Sequence, residues 1–225
     1  MDKEINSALW RFIRRDTSVS AFEAWVYAHE AALSTALGAE LHFKLLEMNY
    51  ADRNQVEDMR EQLEAQLRPA LTCECPAVAD EDVIPMGGNG RDGRFFASVN
   101  ESAKPAEDLW WLWLGRCQTC RTDWLIAQEE RIYDDFFVVR VTPETADAIR
   151  NVAHWPQRWL TYEGVLRTGR TLSRPCRFLD YMAPSLLWTV EDIRRGRPDI
   201  TVAEMADLLG IEESHVKDIL KYQCS

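Results

Sequence analysis

The string LWWLWLGRCQTCRTDWLIAQ, residues 109–128, decides how the centre of this chain is built. Its two ends are rich in aromatic and branched side chains, the composition of strands. Between them, RCQTC sets Cys117 and Cys120 on a tight turn. Such a turn presents two thiolates to one side while the flanking strands pair, which is half of a zinc ribbon. The other half is offered upstream by TCECP, with Cys73 and Cys75. Two pairs facing each other make a tetrahedral sulfur site. The spacing therefore predicts a structural Zn²⁺ held by Cys73, Cys75, Cys117 and Cys120, with no open position for water. Four buried thiols without metal are the competing reading, because free cysteine packs well in cores. Cys176 and Cys224 stand alone and read as structural or incidental.

Around this turn the strand signal continues. DFFVVRV (135–141) is a further strand, and RFFASV (94–99) is another candidate. Trp111 and Trp113 are expected on one face of the strand from 109, with Trp110 on the other. MGGNGRDG (86–93) reads as a loop. Within it, Gly88 to Gly93 spell G-x-G-x-x-G, but a dinucleotide fingerprint must leave a strand and open a helix. Pro85 before it and the strand-like run after it favour a plain loop.

Residues 1–70 have helical spacing. Ile5, Leu9, Trp10, Phe12 and Ile13 define a first helix. Phe22, Trp25, Val26, His29, Leu33 and Leu37 define a second, capped near Ser18 and ended by Gly38. Leu41, Leu45 and Met48, then Val56, Met59, Leu63 and Leu67, continue the pattern. Beyond Pro143 a short helix is expected over 143–153, the basic run 167–177 reads as irregular, and residues 184–225 are helical again. The expected class is α+β: an N-terminal helical bundle (1–70), a central antiparallel zinc-ribbon-like β region (71–142) and a C-terminal helical region (143–225).

The charge balance narrows the partners. The chain has 37 acids and 26 Lys or Arg, a formal net charge of −11. At long range it repels nucleic acid and anionic membrane and attracts a basic protein. The opening MDKEINSALWRF has no apolar leader, and no apolar run approaches the length of a membrane span. A cytoplasmic location is expected, where thiols stay reduced. The histidines (His29, His42, His154 and His215) are scattered, and no nucleophile elbow or phosphate loop is visible, so no enzyme is expected. The acids Asp80, Glu81, Asp82, Glu129, Glu130, Asp134 and Asp135 form short strings that read either as a solvated face or as a negative surface for a basic partner. The run RTGRTLSRPCR (167–177) is expected to pair with acids of the same chain.

Two stretches resemble known families. TVAEMADLLGIEESHVKDIL (201–220) resembles a helix-turn-helix, with Gly210 at the turn and residues 212–220 as the second helix. Glu212, Glu213 and Asp218 on that helix oppose phosphate contacts, so a helical hairpin without DNA competes with it. At the other end, Phe22–Glu23 with Trp25 and Tyr27, Leu37–Gly38, and Leu45–Leu46 with Asn49–Tyr50 are similar to bacterial immunity proteins that accompany polymorphic or contact-dependent toxins. That resemblance implies a non-catalytic protein that neutralises a cognate toxin domain. The alternative class is a zinc-containing transcriptional regulator binding DNA through 201–221.

Overall fold

Helices form where apolar residues recur every three or four positions. In a computed structural model, residues 2–87, 90–105, 109–177 and 180–223 are described. They fall into two units, Met1–Asp80 and Glu81–Ser225.

The first unit is helical: α1 (Lys3–Ile13), α2 (Val19–Ala28), α3 (Glu30–Leu37), α4 (Ala39–Glu47) and α5 (Arg53–Leu67). Asp2, Ser18 and Asp52 cap α1, α2 and α5 by accepting hydrogen bonds from first-turn N–H groups. The core gathers Leu9, Trp10, Phe12, Phe22, Leu33, Leu45 and Leu63, all essentially inaccessible. Phe12 and Phe22 stack with centroids 3.7 Å apart. Arg60 is buried here because its Nε donates to the Phe12 carbonyl at 3.0 Å and its guanidinium lies over the Phe12 ring. The helix expected to run unbroken to Leu37 instead breaks at His29 (φ −120°, ψ 22°). The His29 ring folds back against Trp25 at 4.8 Å, with Nδ1 2.8 Å from the Trp25 carbonyl oxygen, and the chain restarts at Glu30.

The second unit holds one five-stranded antiparallel sheet: β1 (Glu81–Pro85), β2 (Val99–Ala103), β3 (Leu112–Cys117), β4 (Asp123–Glu129) and β5 (Asp135–Val141), ordered β1-β5-β4-β3-β2. Its helices are α6 (Arg91–Phe96), α7 (Pro143–Val152), α8 (Tyr162–Thr171), α9 (Pro184–Gly196), α10 (Val202–Leu209) and α11 (Glu213–Gln223). The class is α+β, as expected. Leu112, Leu114, Leu125, Ala127 and Phe137 form one continuous core with Trp159 and the buried residues of α8 to α11. The boundary expected at 142/143 is therefore not a boundary, because the C-terminal helices cover the apolar face that the sheet must bury. The close approach of α8 depends on Gly169: a Cβ there would stand 2.2 Å from the buried Tyr133 ring.

Several local expectations are corrected. Residues 94–96 of the expected strand RFFASV belong to α6, and β2 begins only at Val99. Phe95 packs edge-on against Trp124, and Phe96 against Phe136, so aromatic packing on the sheet overrides strand propensity. The strand expected from Leu109 begins at Leu112. Trp111 precedes it, donates from Nε1 to the Trp159 carbonyl and joins the C-terminal core, whereas Trp113 packs against Phe96; the two do not share a face. The first part of the basic run expected to be irregular, residues 167–171, is the end of α8, and the stretch after the TCECP pair contains β1, which pairs with β5 in register Glu81↔Val139. The glycine string follows β1, and its end, residues 91–93, opens α6 instead of continuing the expected loop; strand then helix is the order a dinucleotide fingerprint needs, but here the sheet is antiparallel and the helix has six residues. Gly88 and Asn89 lie outside the described residues, as does Cys224.

The α10–α11 pair turns at Gly210, in the left-handed region (φ 70°). Thr201 and Glu204 form a reciprocal capping box at the start of α10. The Thr201 backbone N–H, then its hydroxyl, then Arg197 lower the Glu204 carboxyl to about 2. A depressed carboxyl contributes stability above the ordinary carboxylate range and loses it as pH falls through the depressed value. NMR titration is thus expected to place the Glu204 midpoint at about 2, with α10 amides protected down to that point. A midpoint in the ordinary range would rule out a persistent box.

Candidate metal centre

Cys117 ends β3, and Asp123 opens β4. The turn between them is closed by the Arg121 N–H donating to the Cys117 carbonyl at 3.0 Å, with Arg121 in the left-handed region (φ 66°). This geometry lets the Cys120 N–H point at Cys117 Sγ, 3.5 Å away. Ser98, the residue before β2, adds a hydroxyl 3.4 Å from the same sulfur. Cys120 Sγ is exposed and lies 3.2 Å from the Thr122 hydroxyl. Burial works to raise the Cys117 thiol, but the Cys120 N–H, the Ser98 hydroxyl and the Thr119 N–H outweigh it and lower the thiol to about 6. Cys117 is thus poised as a thiolate, the form that binds metal.

The second pair sits after α5. Cys75 is buried at the head of a 3-10 turn, Cys75–Ala77. That turn is held by Arg14, which donates to the Pro76 carbonyl at 2.6 Å, and by Arg68, which pairs with the buried Glu74 at 3.0 Å. Cys73 is half-buried.

The four sulfurs of Cys73, Cys75, Cys117 and Cys120 lie within 4.8 Å of one another. Sulfurs bound tetrahedrally at about 2.3 Å from a central ion stand about 3.8 Å apart. The quartet is placed to hold a metal ion, and it is the four residues that the paired spacing picks out. Ser98 and Thr122 beside it were not legible in the sequence. Ser98 arrives through the pairing of β2 with β3, a long-range contact with no local motif.

The acids do not form the single surface expected of them. Glu129 and Asp135 are fully buried, which corrects their assignment to a partner-facing patch. Asp135 binds Arg174 at 2.8 and 3.0 Å, with Arg177 also near. Glu129 accepts from the N–H groups of Arg131, Ile132 and Tyr133 and from the Tyr162 hydroxyl at 2.5 Å, fastening the β4–β5 turn. Burial pushes its carboxyl up, against the lowering effect of those four donors. Glu81 pairs with Arg158, and the half-buried Asp82 with Arg91. Asp80, Glu130 and Asp134 are exposed. In the 167–177 run, Arg167 pairs with Glu163, Arg170 with Asp207, and Arg174 and Arg177 with Asp135, as expected.

Among the described residues no helix is long and apolar enough to cross a membrane. No protein-family model, curated protein or solved structure matches the chain.

Proposed function

We propose that this chain is a cytoplasmic immunity protein, a non-catalytic binder that neutralises a basic toxin domain, and that its cysteine quartet holds a structural Zn²⁺. Four soft thiolates in tetrahedral reach favour zinc over hard cations, and a full set of protein ligands favours a structural role. The observation that carries the binding role is the distribution of charge. Residues 1–80 contain 14 acids and 8 Lys or Arg. In the rest of the chain many basic side chains are engaged internally, including the whole 167–177 run and Arg195 and Arg197 before α10. The surface left to a partner is negative, which suits steering towards a basic protein.

The regulator reading rests on α10 and α11. It is disfavoured because Lys217 and Lys221 pair with Glu213 and Asp218 on the same helix. The protein encoded beside this gene is expected to co-purify with the chain at low salt and to dissociate as salt rises. No complex at low salt would overturn the immunity reading. A duplex-DNA shift that weakens with salt would favour the regulator instead.

A further inference from the structure

A groove of about 330 Å³ lies between α4 and α5. The nearly buried Met48 and Met59 line it, together with Glu47 and Asp58. Lys44 also lines it but is already engaged, bridging to Glu40 at 3.0 Å and donating to Gln62 at 3.3 Å. Other acids of α5 are neutralised within the chain: Glu57 by Arg15 and Arg60, and Glu64 by Arg68. Glu47, Asp58 and the neighbouring Glu61 are different. Among the described residues none of the three forms an ion pair, and Asp58 and Glu61 are like charges one turn apart, an unfavourable spacing unless a cation joins them. Phe43, 57% exposed, shares a helix face with Glu47.

We propose that this groove is the docking site for an arginine or lysine side chain presented by a basic protein partner. The proposal rests on the immunity reading above and locates its contact. Methionine surfaces adapt to varied shapes and accept the aliphatic stem of such a side chain. The carboxylates of Glu47 and Asp58 take the charged head through charge-assisted hydrogen bonds.

The test uses the full chain and a fluorescein-labelled arginine–glycine repeat peptide, followed by fluorescence anisotropy at low salt. The E47Q/D58Q protein is expected to bind about tenfold more weakly than wild type. D199N/E212Q, which removes the same charge from exposed positions of the second unit, is expected to stay within about twofold. Equal losses in the two variants, or no binding by wild type, would overturn the groove. Repeating the comparison with the protein encoded beside this gene separates the two ideas. If that protein binds wild type and E47Q/D58Q alike, the groove is wrong and the immunity reading stands. If wild type and E47Q/D58Q differ towards the peptide but wild type ignores that protein, the groove stands and the immunity reading falls.

Discussion

Cys117→Ser protein is expected to purify without stoichiometric zinc, whereas wild type carries one ion per chain. Cys117 is fully buried at the end of β3, and its sulfur collects the Cys120 N–H and the Ser98 hydroxyl. A serine hydroxyl at this position is shorter, harder and not ionised near neutral pH, so it does not replace a thiolate. Metal affinity at such a site is also folding free energy. With free zinc about a thousandfold above the dissociation constant, binding stabilises the native state by about 4 kcal/mol. Loss of that contribution is the expected destabilisation. Elemental analysis and thermal melts with and without chelator measure it. Cys176→Ser, which changes a cysteine outside the quartet, is the control and is expected to keep its zinc. A Cys117→Ser protein with full metal content, or a wild type whose melt ignores chelators, would sink the metal assignment.

Glu129→Ala is expected to destabilise the second unit by about 4 kcal/mol, comparable to the loss when a buried charged partner is removed. The side chain is wholly inaccessible, and it is the acceptor for the Ile132 N–H at 3.0 Å, the Tyr133 N–H at 2.5 Å and the Tyr162 hydroxyl. Alanine leaves these donors buried and unpaired, at about 1–3 kcal/mol each before relaxation. Tyr162→Phe removes only one donor and leaves Glu129 its backbone partners, so a cost of about 1 kcal/mol is expected. Urea denaturation of both variants gives the comparison. A Glu129→Ala loss below that of Tyr162→Phe would mean that water or neighbouring groups satisfy the turn. The reasoning also separates Glu129 from its sequence neighbour Glu130, which is exposed and whose charge is expected to matter little to stability.

Periodicity made the helices legible. In α1, α4 and α5 the apolar positions picked from spacing are mostly the buried ones, because a helix of given period has one face to hide. The strands from Asp123 and Asp135 were legible for the same reason, through dense apolar and branched runs. Phe95 and Phe96 were misread because an apolar pair has no period of its own. The helix they occupy is selected by the Trp124, Trp113 and Phe136 rings it meets. Glu129 and Asp135 were misread as surface because a carboxylate in a string carries no local mark of burial. Their side-chain donors lie elsewhere in the chain, Tyr162 for Glu129 and Arg174 for Asp135, and the local N–H groups that Glu129 gathers come from a turn with no motif of its own.

The residues alone determined the α+β class, the apolar faces of the N-terminal helices, the excess of negative charge and the identity of the four cysteines, since each depends on local spacing or on composition. Tertiary structure decided where those spans meet: that the C-terminal helices share the core of the sheet, that the four sulfurs converge to within 4.8 Å, and which acids are neutralised in the interior and which stay exposed. Burial and ion pairing are pairwise properties of groups distant in the chain, so only their assembly in space assigns them.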